Sequence, residues 1–324
     1  VKILVPGNVP FDCTPTLDDP ADVVAPYVMR DTIADEHLDA EVLVTWASPA
    51  RVLDDAARRL GRLRWVQSLA AGPDAVLAAG FAPGVVITSG RGLHDTPVAE
   101  HALALALATV RRIDRSLAAQ RDHVWDRGLG KEQASAETGP TFTLDGARVT
   151  IWGFGSIAQR LAPLLAALGA RVTGVAGTPG VRAGFPVVDD AGLRALLPET
   201  DLLISLLPAT AATRHAVDAA TLALLPAHAR FVNVGRGATV DEDALVAALR
   251  SGALAGAALD VTATEPLPAA SALWDAPHLI LTPHVAGGRP QGAQSFLTDQ
   301  VRAWTRSGRS GLRNLVTRED DLGG

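Results

Sequence analysis

The 324-residue chain has one cysteine, no apolar run of membrane-spanning length and no excess of positive charge. Each absence removes a class of protein. A single thiol, Cys13, forbids a disulfide within the chain and suits a reducing compartment. It lies in "PFDCTPTLDD" without a basic neighbour, a poor setting for a reactive thiolate. Lack of a long apolar run argues against a membrane helix. The N-terminal "VKILVPG" reads as a short strand with no signal-peptide core, so a cytoplasmic, soluble protein is expected. A net charge of −6 argues against a nucleic-acid partner. With 48% hydrophobic and 20% charged residues the chain is globular, and its length suits two domains. Its abundant arginine and alanine reflect a G+C-rich genome rather than a function.

What is present is strand alternating with helix. "KILVP", "EVLVTW", "RWVQSL" and "VVITS" read as strands, with helices in "PARVLDDAARRL" and "GPDAVLAAG" between them. That alternation predicts an α/β fold with parallel sheets covered by helices. A long apolar helix is predicted over 96–123, capped by Thr96, with Pro97 in its first turn and Glu100 closing the capping interaction. Residues 125–146 have little periodicity and read as a loop. The next unit is strand, glycine turn, helix and strand in "RVTIWGFGSIAQRLAPLLAALGARVTGVAG". It continues through the strands "DLLISLL", "ARFVNV", "GAALDV" and "HLILT", with a helix in "DEDALVAALRSG". A last helical pattern lies in "GAQSFLTDQVRAWTRSG".

The turn "GFGSIA" sets Gly153, Gly155 and Ala158 in a G-x-G-x-x-A pattern. The first glycine permits the turn, the second lets a pyrophosphate approach the backbone, and the small third residue lets helix and strand pack. Phosphate oxygens then meet N–H groups at the helix start. An acid about twenty residues on selects NAD, and a nearby Arg accepts the 2′-phosphate of NADP. At that strand end stand Ala176, Gly177 and Thr178, with no acid. Thr178 or Arg182 is available to a 2′-phosphate, and the cofactor, NAD(P)(H), leans towards NADP(H).

Three later strand ends carry chemistry. Arg236 follows "FVNV", Glu265 follows "AALDV", and His284 follows "LILT". Ligands of open parallel sheets bind at the carboxyl ends of the strands, where the glycine turn also lies. Hydride transfer to a ketone leaves an alkoxide that needs a proton. A histidine supplies one, a carboxylate orients that histidine, and an arginine holds a carboxylate or carbonyl. No metal is implied.

In order along the chain, "GLHDTPVAEHALAL", "GFGSIAQRLAPLLAALGARV", "LLPATAATRHAVD", "FVNVGRGATVDEDALVAAL", "AALDVTATEPLP" and "LTPHVAGG" resemble the D-2-hydroxyacid dehydrogenase family, in its glyoxylate/hydroxypyruvate reductase-like branch. The resemblance spans essentially the whole chain. It implies two Rossmann-like, doubly wound parallel-sheet domains with the active site in the cleft between them. The substrate domain, flavodoxin-like and discontinuous, is 1–93 plus 289–324, and the inserted dinucleotide-binding domain is 94–288. The family's catalytic Arg, Glu and His fall on Arg236, Glu265 and His284. Its substrate-carboxylate loop falls on Leu69, Ala70, Ala71 and Gly72. Cofactor contacts are implied at Gly153, Phe154, Gly155, Ser156 and Ile157, and at Ala176, Gly177 and Thr178. They continue at Leu206, Leu207, Pro208, Val234, Gly235 and Gly287, with Asp260 towards the nicotinamide carboxamide. Members are usually homodimers built through the cofactor domain.

The implied activity is reduction of a small 2-oxo acid to the D-2-hydroxy acid, and the reverse. The acid usual at Ala176 is absent, which puts NAD preference in question. Glu265 stands where formate dehydrogenases carry Gln, which disfavours formate. Trp46, Trp125 and Trp274 are available to shape a pocket or pack a core. His94, His101, His123, His215, His228 and His278 read as structural or exposed. The alternative is a dinucleotide-sensing dimer of corepressor type without turnover.

Overall fold

The computed structural model describes residues 1–134 and 142–316, in two compact units. Unit 1 is Val1–His94 together with the stretch that begins at Arg289, and unit 2 is Asp95–Gly288.

Unit 1 holds a parallel sheet of β1 (Lys2–Pro6), β2 (Val23–Tyr27), β3 (Val42–Thr45), β4 (Trp65–Ser68) and β5 (Val86–Thr88) in the order β2-β1-β3-β4-β5. Alternate residues of its strands serve opposite faces, as the two-residue period of a strand requires. Leu4, Leu43 and Val66 pack with α1 (Ala50–Arg59) and α2 (Asp74–Ala78). Ile3, Val5, Val42, Val44 and Trp65 face Leu297, Val301 and Trp304 of a helix from the far end of the chain, Ala293–Ser307. A buried polar network ties that helix down: Gln300 Nε2 donates to Gln67 Oε1 at 3.0 Å, and Thr88 Oγ1 donates to the same oxygen at 2.8 Å. β2, "VVAPY", has no alternating pattern and contains Pro26; it is an edge strand, where a missing N–H is tolerated.

Unit 2 opens with α3 (Asp95–Val110), α4 (Ile113–Arg121) and α5 (Arg127–Ala134). The long helix expected over 96–123 is therefore two. Arg112 takes a left-handed backbone, φ +56°, between them. α3 buries Ala99, Ala102, Leu105 and Ala106, whereas α4 buries no residue, so the core contact that holds α3 in place stops at the break. Thr96 is not a cap, because α3 starts at Asp95 and Thr96 lies inside its first turn. The loop expected over 125–146 contains α5, while residues 135–141 lie outside the described residues.

β6 (Arg148–Trp152), α6 (Ser156–Ala167) and β7 (Arg171–Val175) follow. Next comes a hairpin of β8 (Gly180–Arg182) and β9 (Phe185–Val188), which has no strand pattern long enough to read. The unit continues through α7 (Asp190–Leu196), β10 (Leu202–Ser205), α8 (Ala219–Leu222), β11 (Arg230–Asn233), α9 (Glu242–Ser251), β12 (Gly256–Leu259) and β13 (Leu279–Leu281). The helix Ala293–Ser307 of unit 1 is α10. The eight strands run in the order β13-β12-β11-β10-β6-β7-β9-β8, parallel except for the β8–β9 pair. Order reverses between β6 and β10, and doubly wound sheets bind ligands at such a point. One face of the sheet packs on α3 and α6, the other on α7, α8 and α9.

Candidate active site

The carboxyl edge of the unit 2 sheet starts with the turn after β6. Gly153 has φ +99°, and a Cβ there would stand 2.7 Å from the carbonyl oxygen of Leu206, so only glycine fits. Gly155, N-cap of the twelve-residue α6, faces open space where a Cβ would be. Ala158 is fully buried beneath it. A turn that approaches its own sheet closely, then leaves an open helix N-terminus, fits a pyrophosphate. Ser156 Oγ donates to Asp95 Oδ1 at 3.1 Å, and Ile157 packs on the core. The side chain of Phe154 is itself core, 6.4 Å from the ring of Phe185. Its backbone remains at the edge: Phe154 N donates to Val175 O at 3.0 Å.

At the end of β7, Ala176 is half-buried and Gly177 and Thr178 are exposed. The β8–β9 hairpin returns Arg182 to this point. Its Nη1 donates to Phe154 O at 3.1 Å and its Nη2 to Thr178 O at 2.8 Å. A guanidinium fixed between the glycine turn and the strand end is a fit for a phosphate, because two of its five N–H groups orient it and others remain. Of Leu206, Leu207, Pro208, Val234 and Gly235, only Pro208 is exposed and Leu206 is half-buried.

Arg236 follows β11, half-buried, with Nη1 donating to Gly235 O at 2.8 Å. Its carbonyl is gripped by Thr239 Oγ1 at 2.6 Å and Asn233 Nδ2 at 3.1 Å. The loops after β11 and β12 lie against each other at Gly237, where a Cβ would fall 1.9 Å from the carbonyl carbon of Thr262. Glu265 follows on that second loop and accepts from Thr262 N at 3.0 Å through Oε1. Its other oxygen, Oε2, accepts from His284 Nδ1 at 2.6 Å. His284 Nε2 has no protein partner among the described residues.

His284 is held in a left-handed conformation, φ +52°. Asp260 enforces it: its carbonyl accepts from His284 N at 2.7 Å, and its carboxylate accepts from Val285 N at 3.0 Å and Ala286 N at 2.9 Å. That carboxylate, 2% exposed, also accepts from Thr282 Oγ1 at 2.6 Å. His101 of α3 completes the group, with Nε2 3.0 Å from Thr282 Oγ1 and 3.3 Å from Asp260 Oδ1. His101, expected to be structural or exposed, joins this group from a helix that crosses the sheet face, where no strand end marks it in the sequence.

In unit 1 the Leu69–Gly72 loop is fixed by its backbone. Leu69 is fully buried, and its carbonyl lies 2.9 Å from His94 Nε2. Gly90 N donates to Ala70 O at 2.7 Å, and Ala70 N donates to Ser68 Oγ at 3.1 Å. The amides of Ala71 and Gly72 have no partner among the described residues. His94 is thus buried and engaged, and its ring stacks on Trp46 at 5.3 Å. Trp125 is 88% exposed, and the half-exposed Trp274 donates through Nε1 to Pro268 O at 3.0 Å. Cys13 is buried, and burial with the Asp12 charge pushes its thiol up to about 11, which keeps it protonated and unreactive. No helix among the described residues is long and apolar enough to cross a membrane.

Residues 103–286 match the family model of the D-isomer specific 2-hydroxyacid dehydrogenase NAD binding domain. The chain is 34% identical over 273 residues to glyoxylate/hydroxypyruvate reductase A of Serratia proteamaculans, covering 82% of each. A D-isomer specific 2-hydroxyacid dehydrogenase from Xanthobacter autotrophicus, solved with NADPH and MES, is 29% identical with a TM-score of 0.75, over 92% of this chain and 90% of that one. An NADPH-dependent glyoxylate/hydroxypyruvate reductase from Sinorhizobium meliloti, solved with NADP and sulfate, is 30% identical with a TM-score of 0.73, over 92% and 91%. The model match and the extent of these relatives agree, and the chain belongs to the D-isomer specific 2-hydroxyacid dehydrogenase family.

Proposed function

We propose that the protein reduces a small 2-oxo acid to the D-2-hydroxy acid with NADPH, and runs the reverse reaction with NADP. The observation that carries this is the 2.6 Å pair of His284 Nδ1 and Glu265 Oε2, on the sheet edge that also holds the Gly153 turn. Glu265 fixes the ring through Nδ1, which leaves Nε2 as the atom that passes the proton. A bound nicotinamide supplies the hydride. As the carbonyl carbon gains it, the carbonyl oxygen becomes an alkoxide and takes the proton from His284 Nε2; in the reverse direction the same nitrogen takes the hydroxyl proton. Arg236 of unit 2 presents its guanidinium to a carboxylate or carbonyl. In unit 1 the loop from Leu69, with the Ala71 and Gly72 amides that have no partner among the described residues, offers backbone N–H groups to a carboxylate. Asp260 acts as a positioning residue, since its carbonyl and carboxylate fix the turn of His284.

Unit 2, Asp95–Gly288, takes the dinucleotide, and unit 1, Val1–His94 with the stretch from Arg289, offers its loop to a carboxylate. Gly153 to Ile157 cradle the pyrophosphate; Ala176, Gly177 and Thr178 border the ribose; Leu206, Leu207, Pro208, Val234, Gly235 and Gly287 border the remainder of the cofactor. Arg182, fastened to Phe154 O and Thr178 O, supports NADP over NAD. The relatives are named as reductases and dehydrogenases, so the dinucleotide-sensing alternative is not taken further.

The test is an activity matrix of NADPH and NADH against glyoxylate, hydroxypyruvate and bulkier 2-oxo acids. Turnover is expected, faster with NADPH; no turnover in any combination overturns the reading. A homodimer through unit 2 is also proposed, motivated by the exposed Ile113, Leu117, Val124 and Trp125 around α4. Sedimentation should give twice the chain mass, and Trp125→Arg should shift it towards the monomer.

A further inference from the structure

Among the described residues, the opposite edge of the unit 2 sheet carries an unbalanced positive charge. Arg230, the first residue of β11, is 7% exposed. No carboxylate pairs with it among the described residues, its buried Nε has no hydrogen-bond partner, and its Nη1 reaches only Ala255 O at 3.4 Å. Burial, with the charge of Arg112 nearby, pulls its pKa down to about 10, opposed by Asp114, so the guanidinium stays charged at neutral pH. A buried cation without a counter-ion is costly. Space for it is nonetheless kept: a Cβ on Gly256 of the neighbouring strand would stand 2.8 Å from Nη1.

Two further donors stand at this edge. Arg112, in the left-handed break between α3 and α4, donates through Nη2 to His278 Nδ1 at 2.7 Å. An imidazole that accepts at Nδ1 is neutral and carries its proton on Nε2, as a donor. Burial and the Arg112 charge also lower the pKa of His278. Asp114 binds Arg112 at 3.2 Å and balances that one charge. All three of these groups line a cavity of about 590 Å³, with Arg250 and Glu132 on its wall. Among its described lining residues arginines therefore outnumber acids, in a chain whose net charge is −6.

We propose that this cavity is a second ligand site, which takes a small multivalent anion whose carboxylate or phosphate oxygens pair with Arg230 and Arg112. It lies at the amino ends of β11, β12 and β13, whereas the Gly153 turn is at a carboxyl end, so the two sites do not compete. The proposal does not depend on the reductase reading.

The test uses the full chain saturated with NADPH, so that the glycine turn is occupied. Citrate or pyrophosphate replaces chloride at constant ionic strength, and melting temperature and calorimetric binding are read. Saturable binding of either anion, one per chain, is expected, with the preferred probe telling carboxylate from phosphate. Arg230→Met should melt at or above the wild-type temperature in chloride and bind the anion at least about ten-fold more weakly. Arg112→Asn, which suits the left-handed backbone, should also weaken binding, and carries the test if Arg230→Met fails to fold. Absence of binding to wild type, or equal binding in the variants, overturns the proposal. So does a variant that binds no less anion but dissociates to monomer, which assigns the cavity to a second copy of the chain.

Discussion

At the carboxyl edge of the unit 1 sheet, the Leu69–Gly72 loop is fastened by a histidine ring on Leu69 O, the Gly90 amide on Ala70 O, and a serine hydroxyl on Ala70 N. The same edge of unit 2 carries a histidine hydrogen-bonded to a carboxylate, a buried aspartate with three hydrogen-bond donors on its carboxylate, and a guanidinium clipped to two carbonyls. Backbone amides suffice to hold a carboxylate. A group that must gain and lose a proton needs a charged neighbour and a fixed ring. The two edges differ as binding differs from chemistry.

Substitutions test that division. The largest effect is expected from His284→Ala, which should lower kcat by about 10²- to 10⁴-fold while the Kd for NADPH, read by fluorescence, stays near wild type. Comparable losses in both would remove the distinction drawn for unit 2. Arg182→Ala should raise the KM for NADPH by roughly ten- to a hundred-fold and leave that for NADH nearly unchanged, since only the 2′-phosphate loses a partner. Equal changes for both cofactors would show that Arg182 only braces the turn. In unit 1, Gly90→Ala sets a Cβ 2.1 Å from Leu69 O and should displace the loop. The KM for the 2-oxo acid should rise about ten-fold, with NADPH affinity kept. A fall in kcat alone would place the loop in the chemistry instead.

The smallest effect concerns Asp201, away from both edges. Burial raises its pKa, but the Arg148 amide, the His228 ring and the Arg148 guanidinium outweigh this and hold it below 3.8. A depressed carboxylate contributes stability above its unfolded pKa and loses it as pH falls through the folded one. Asp201→Asn should therefore cost about 1 kcal/mol at neutral pH and flatten the acid-unfolding curve below about pH 4. Urea titrations at both pH values check it.

Most of the parallel strands and the three charged rim residues were legible in sequence because buried parallel strands are continuous apolar runs, and a residue just beyond one has a known edge. What escaped lacks that signal. β2 is an edge strand broken by Pro26, and β8–β9 is a short hairpin whose role shows only when Arg182 folds back on Thr178. The break at Arg112 has no glycine or proline to announce it. His101 and Asp260 meet across about 160 residues, a distance no local pattern spans.

α10 sets the order in which the chain can be completed on the ribosome. Synthesis runs from the N-terminus, and domains fold as units as they emerge. Unit 2 has all its strands before residue 293 is made. The first strands do not: Ile3, Val5, Val42, Val44 and Trp65 wait for Leu297, Val301 and Trp304. Of the two units, the one whose first strands are made earlier is the one that finishes folding later, and its uncovered apolar face is the surface a nascent-chain chaperone would meet.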